Sequence, residues 1–137
     1  MKNIYSNIVK VNNNNLSKAI VYLKKNDLIG VPTETVYGLA GNAYSKQSIK
    51  KIYNLKKRPS INPLIVHYYN IKKLLNDAVL NKNFFKIYDK FCPGPITFVL
   101  KKKKSSEISN LATAKLNTIA VRFPSNKVIR KLLKNIN

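Results

Sequence analysis

A mixed α/β (α+β) domain, with helices flanking a twisted mixed sheet, is the fold this sequence predicts. Stretches of helical period alternate with short β-rich runs from one end of the chain to the other. With 137 residues and 45% hydrophobic content the chain has enough apolar material for a core without staples. A domain of this length buries roughly two-thirds of its unfolded surface. No internal repeat or second boundary interrupts the pattern, so residues 1–137 read as a single domain.

The first helix begins at the polar tract Asn12-Asn13-Asn14-Asn15, with Asn15 as the expected N-cap. Leu16, Ala19, Ile20 and Leu23 follow at helical spacing, and Lys24-Lys25 suit the negative end of the helix dipole. Leu28–Val31 is a short apolar run stopped by Pro32, the pattern of a buried strand. Ser45 opens a second helix with Ile49, Ile52 and Tyr53, closed before Pro59. Leu64–Val66 is the next strand, followed by helical stretches around Ile71–Leu75 and Phe84–Phe91. Ile96–Leu100 and Thr118–Phe123 are β-rich, and Ser125 is the expected cap of a last helix carrying Val128, Ile129, Leu132 and Leu133.

Charge is the chain's largest compositional bias. Lys plus Arg number 26 against 5 Asp plus Glu, a formal charge of +21. Such a chain repels itself and attracts polyanions, whether nucleic acid, nucleotide phosphate or anionic lipid. Lys and Asn dominate, a bias that an AT-rich coding sequence also produces, so selection for nucleic-acid binding and compositional drift are both open. The run Lys101–Lys104 reads as a solvated turn after a strand. Against this background the three arginines, Arg58, Arg122 and Arg130, carry more information.

Several function classes are excluded. No run approaches 18 apolar residues, so no transmembrane helix is expected, and Met1–Tyr5 lacks the apolar core of a signal peptide. One cysteine, Cys92, makes no internal disulfide and fits a reducing cytoplasm; one Cys and one His leave little for zinc. The phosphate-cradling loops G-x-x-x-x-G-K-[ST] and G-x-G-x-x-G are missing, as are nucleophile elbows and kinase motifs. Few carboxylates argue against paired-acid glycosidase chemistry.

Four segments look unlike ordinary core or surface. Pro32-Thr33-Glu34-Thr35-Val36-Tyr37-Gly38-Leu39-Ala40 places two hydroxyls and a carboxylate where a strand ends, the usual ligand position in α/β sheets. It also reads as a plain capped turn with Gly38 at positive φ. Lys56-Lys57-Arg58-Pro59-Ser60-Ile61-Asn62-Pro63 closes a helix with cations, then leads into the strand ending at His67. These cations are either helix-dipole partners or a rigid clamp for phosphate and nucleobase. In Phe91-Cys92-Pro93-Gly94-Pro95-Ile96-Thr97 the prolines and glycine set a backbone shape rather than a catalytic group. Cys92 with His67 is the one Cys–His pairing a hydrolase could use. In Thr118-Ile119-Ala120-Val121-Arg122-Phe123-Pro124, alternation puts Thr118, Ala120 and Arg122 on one face and Ile119, Val121 and Phe123 on the other. A strand arginine is costly to bury unpaired, so Arg122 should meet a carboxylate or a ligand, and the scarcity of acids favours a ligand.

Taken together and in this order, the four segments resemble the YrdC-like family of threonylcarbamoyl-AMP synthases. The resemblance implies an α/β fold around a basic cavity. It also implies a nucleotidyltransferase that joins L-threonine, bicarbonate and ATP into threonylcarbamoyl-AMP with release of pyrophosphate. Partner proteins would pass the threonylcarbamoyl group to tRNA, giving threonylcarbamoyladenosine. By the same resemblance Thr35, His67 and Arg122 are threonine-contacting, and Arg58, Asn62 and Thr118 are ATP-contacting. Lys56 would steer phosphate or bicarbonate as a point charge, and Mg²⁺ is expected to accompany ATP. His67 is expected to be a neutral or weakly charged polar contact for substrate, not a metal ligand or a triad base. Family members continue into a Ser-Ala-Asn segment that this sequence does not contain, so a domain lacking its C-terminal part, with weak ATP binding, is expected. The alternatives are a non-catalytic module binding tRNA or double-stranded RNA on the same fold, and a decayed domain that binds polyanions indiscriminately.

Overall fold

The computed structural model describes residues 7–136; residues 1–6, which include the Met1–Tyr5 stretch where no signal-peptide core was found, and Asn137 lie outside the described residues. Five helices, α1 (Asn13–Lys24), α2 (Lys46–Lys56), α3 (Ile71–Leu74), α4 (Lys82–Phe91) and α5 (Lys127–Asn135), alternate with six strands. The strands are β1 (Ile29–Pro32), β2 (Tyr37–Ala40), β3 (Ile65–His67), β4 (Ala78–Val79), β5 (Thr97–Lys102) and β6 (Thr118–Arg122). They form an antiparallel β1–β2 hairpin and a mixed four-stranded sheet of order β3-β6-β5-β4, in which only β3 and β6 run parallel. The predicted α/β class is therefore the observed one.

Several boundaries depart from the sequence expectation for local reasons. The cap of α1 is Asn12, not Asn15: the Asn12 side chain accepts the Asn15 amide at 2.8 Å, so the helix starts inside the asparagine tract. Ser125 does not cap α5 either, because Asn126 accepts the Val128 amide at 2.9 Å while Ser125 is engaged elsewhere. Pro32 stays within β1, which is the hairpin strand and buries only Val31. Gly38 lies inside β2 opposite Val31, and among the described residues no glycine has positive φ. Neither β2 nor the short β4 was anticipated: β2 falls in the segment read as a turn, and the two residues of β4 carry too little pattern to be read.

Two apolar clusters divide the molecule. The larger packs α2, α3 and α4 on the inward face of the four-stranded sheet through Ile49, Ile52, Leu74, Phe84, Phe98, Ile119, Val121 and Phe123. Its aromatic centre includes Phe84 against Phe98 at 4.8 Å and Tyr88 edge-on to Phe123 at 4.8 Å. The smaller joins β1, α1 and α5 through Val31, Ile129 and Leu132, with Leu16, Ala19 and Ile20 alongside. Alternation in β6 holds as expected: Ile119 and Val121 are buried, and Arg122 faces the other way.

The remaining motif pieces are structural. A Cβ on Gly94 would collide with the Phe91 carbonyl oxygen, which is why this turn requires glycine. Cys92 is half-buried against the large cluster, where burial pushes its thiol pKa up. The lysine run is not a free turn: Lys101 and Lys102 belong to β5, and three lysine donors suit loop carbonyls. Lys102 Nζ donates to the Ile108 carbonyl and Asn110 Oδ1, and Lys103 Nζ to the Leu75 carbonyl. Among the described residues no helix is long and apolar enough to cross a membrane.

Candidate ligand cavity between the hairpin and the sheet

A cavity of about 900 Å³ lies between the hairpin cluster and the four-stranded sheet, lined from both. Its polar end is built on the sheet. β3 and β6 run parallel with His67 opposite Arg122, and β5 places Thr97 opposite Arg122 from the other side. Residues in register on neighbouring strands share a face at roughly 5 Å spacing, so His67, Arg122 and Thr97 form one row. The Arg122 guanidinium donates from Nε and Nη2 to Thr97 Oγ1, at 3.0 and 2.8 Å. That leaves its Nη1 edge uncommitted except for Glu34 Oε2, 4.0 Å away.

The hairpin brings Thr35 to the same cavity. Thr33 folds the turn by donating its amide and hydroxyl to the Val36 carbonyl, at 3.1 and 2.5 Å. The turn therefore presents Thr33 and Thr35 to the cavity, while Glu34 points behind it. There Glu34 Oε1 accepts the Ser125 amide at 2.7 Å and its hydroxyl at 3.3 Å, fastening the turn to the start of α5. Its other oxygen, Oε2, is sealed from solvent without a hydrogen bond. Burial pushes the Glu34 carboxyl up, but the Ser125 amide, the Glu34 amide, the Ser125 hydroxyl and, least, the Arg122 charge together outweigh it and leave the pKa below the ordinary carboxylate value. His67 is driven down to about 4, chiefly by burial and further by Arg122, with Glu34 opposing. It is therefore neutral near pH 7, as the sequence led us to expect.

Lys56 and Arg58 line another part of the cavity, at the end of α2. Lys57 closes the helix in the left-handed region (φ 47°), which turns the chain toward Pro59. Arg58 folds back onto its own loop, donating to the Asn62 and Pro63 carbonyls at 3.3 and 3.0 Å. The lining cations are Lys24, Lys56, Arg58, Lys73 and Arg122, against the carboxylates Asp77 and Glu107.

Thr35, His67, Arg122, Arg58 and Lys56 thus share one cavity, but Asn62 and Thr118 do not line it. Asn62 is exposed, and it is its carbonyl that is engaged, accepting from the Tyr53 hydroxyl at 2.8 Å. Thr118 begins β6, opposite Lys101. Four residues of strand put it about 13 Å from Arg122, on the same face. Three features were missed from sequence: Thr97 as the Arg122 orienter, Glu34 as the tie to α5, and a buried carboxylate cluster. In that cluster Asp77 Oδ2 accepts from the Tyr44 and Tyr68 hydroxyls at 2.8 and 2.7 Å, and Oδ1 from Ser106 at 2.6 Å. Asp77 is buried, and burial and its negative charge push both phenols well above the usual tyrosine value. The signal available for Thr97 was the register implied by two β-rich segments; for Asp77 there was none.

An α/β domain with its motif residues gathered at strand ends and a helix end around one cavity is what the fold and the site define. Residues 21–137 match the Sua5/YciO/YrdC family model, described as telomere recombination, and the chain belongs to that family. It is 35% identical over 127 residues to the threonylcarbamoyl-AMP synthase of Bacillus subtilis, covering 92% of this chain and 36% of that one. A putative threonylcarbamoyl-AMP synthase of Methanocaldococcus jannaschii is 33% identical over 136 residues, 96% of this chain and 64% of that one. The structure of Pyrococcus abyssi Sua5 complexed with L-threonine superposes with a TM-score of 0.85 at 32% identity, over 92% of this chain and 37% of that one. The chain therefore spans about a third of the length of two of these relatives and just under two thirds of the other.

Proposed function

We propose that this chain is the threonine-binding and adenylate-forming part of a threonylcarbamoyl-AMP synthase, an enzyme of the nucleotidyltransferase class. The observation that carries this reading is the convergence of Thr35, His67 and Arg122 with Lys56 and Arg58 on one cavity. Relatives bearing the same activity in their names, and a like fold solved with L-threonine, support it. Arg122 would clamp the threonine carboxylate through the Nη1 edge that Thr97 leaves open. Neutral His67 and the Thr35 hydroxyl would hold the amino acid's polar groups without competing for its charge.

The reaction needs positioning and held charge more than proton relay. The threonine amine and bicarbonate give a carbamate and water. A carbamate oxygen then attacks the α-phosphorus of ATP, and pyrophosphate leaves. Lys56 and Arg58 would steer bicarbonate and phosphates, and Asn62 and Thr118, outside the cavity lining, would meet the distal parts of ATP. The residues present do not fit a protein-held Mg²⁺: Asp77 is saturated by three hydroxyls, and the described residues hold no cluster of three metal-binding side chains. Mg²⁺ would come and go with the phosphates of ATP, and none of these side chains depends on a metal for its role. The +21 charge would favour tRNA, or double-stranded RNA, and the product would pass to tRNA-modifying partner proteins.

Pyrophosphate release that requires both L-threonine and bicarbonate tests the reading, in this chain and in one extended with the remaining segment of a relative. Arg122→Gln should weaken threonine binding about 100-fold, the loss of a charge-assisted carboxylate clamp. Turnover without threonine, or salt-sensitive RNA binding with no turnover in either chain, would overturn it.

A further inference from the structure

Glu34 is a carboxylate placed beside the cavity's own carboxylate-binding arginine, which is an awkward place for a negative charge if any anion were acceptable there. Its side chain is 11% exposed, and Oε2 lies 4.0 Å from Arg122 Nη1 with no hydrogen-bond partner. Besides Arg122, Ser125 takes Oε1 and the Glu34 amide also donates to the carboxylate, while His67, which feels the Glu34 charge, stays neutral. Ser125 and the Glu34 amide stabilise the carboxylate by hydrogen bonding, and Arg122 is the cation that acts on it, so any carboxylate that binds Arg122 enters the field of a fixed anion. A ligand carrying an ammonium group beside its carboxylate neutralises that field, whereas a plain hydroxy acid does not.

We propose that Glu34 makes the Arg122 site selective for α-amino acids over amine-free carboxylates of the same shape. It acts by charge through the Thr33–Val36 turn and not by contact, since Oε2 is closed to solvent and Glu34 does not line the cavity. Low dielectric on the buried side strengthens this interaction relative to water. The inference rests on the reading of Arg122 as a carboxylate clamp, and it adds a residue that sets which carboxylates are accepted.

The test compares L-threonine with (R)-3-hydroxybutyrate, which keeps the carboxylate, hydroxyl and methyl groups and lacks the amine. Calorimetric titration of the full chain gives both affinities for the unsubstituted protein, Glu34→Gln and Glu34→Asp. Glu34→Gln keeps an oxygen for Ser125 and removes only charge. The threonine preference should fall about tenfold in it, with threonine weaker and hydroxybutyrate tighter. Glu34→Asp, which keeps the charge, should retain most of the preference. Equal weakening of both ligands in Glu34→Gln, as loosening of the turn would give, overturns the proposal, as does an unchanged preference. Binding of neither ligand by the unsubstituted chain removes the clamp and the proposal with it. A shifted preference, with no pyrophosphate released by either this chain or the chain extended with a relative's remaining segment, leaves the selectivity standing and refutes the synthase reading instead.

Discussion

Single side chains at this site are governed by what surrounds them more than by their own chemistry. His67 shows the sign clearly. Its folded pKa, about 4, lies below the ordinary histidine value of 6.5, because burial and Arg122 oppose a second positive charge. The unfolded chain therefore binds more protons between these values, so His67 supports the fold above pH 6.5 and withdraws that support as pH falls toward 4. The full effect is at most about 3 kcal/mol. Urea titrations across pH 4–7 should show His67→Asn losing less stability on acidification than the unsubstituted chain; parallel curves would contradict the assignment. Asp77, by contrast, is a buried side chain whose hydrogen-bonding needs the fold meets. Asp77→Asn presents an amide to three hydroxyl donors and should cost about 2–4 kcal/mol in denaturant melts. A loss below about half a kcal/mol would mean that the hydroxyls find other partners.

At the scale of elements, caps and ties decide where the site residues sit. α5 is capped by Asn126, and Ser125 is left free to hold Glu34 and so the Thr33–Val36 turn. The two neighbouring polar residues have separate jobs. Asn126→Ala should cost about 1 kcal/mol of stability, the usual loss for an N-cap. Ser125→Ala removes only the 3.3 Å hydroxyl contact, because the amide remains, and should cost less than about 0.5 kcal/mol. Equilibrium unfolding of the two variants side by side checks the order; a larger loss in Ser125→Ala would restore Ser125 as the cap. The β1–β2 hairpin, with few residues buried in its own right, takes its stability from α1 and α5.

Across the whole molecule, charge works against compaction. With a net +21, cation–cation repulsion is distributed over all the helices, and among the described residues only two ion pairs offset it. Added salt screens repulsion over about a Debye length, so the melting temperature should rise as NaCl goes from about 50 to about 500 mM. Inorganic triphosphate should raise it further at equal ionic strength if the cavity gathers anions; a melting temperature that falls with salt would mean that specific ion pairs outweigh the repulsion.

What the sequence determined by itself was local. Helical period placed α1, α2, α4 and α5, alternation separated Arg122 from Ile119 and Val121, and proline and glycine marked the turn at Gly94. Such features depend on residues within a few positions of one another, and side-chain periodicity carries them. Caps were legible only to within a few residues, because adjacent asparagines and serines compete for one helix end. The four motifs likewise marked Thr35, His67, Arg122, Arg58 and Lys56 before any geometry was known. Tertiary structure alone decided the rest: that His67, Arg122 and Thr97 stand in one row, and that Glu34 reaches Ser125 across 91 positions of sequence. It also decided that Asp77 gathers three hydroxyls, and that Asn62 and Thr118 fall outside the cavity lining. Strand register and the packing of two apolar clusters fix these distances, and both are set by contacts between segments far apart in the chain, which no local pattern encodes.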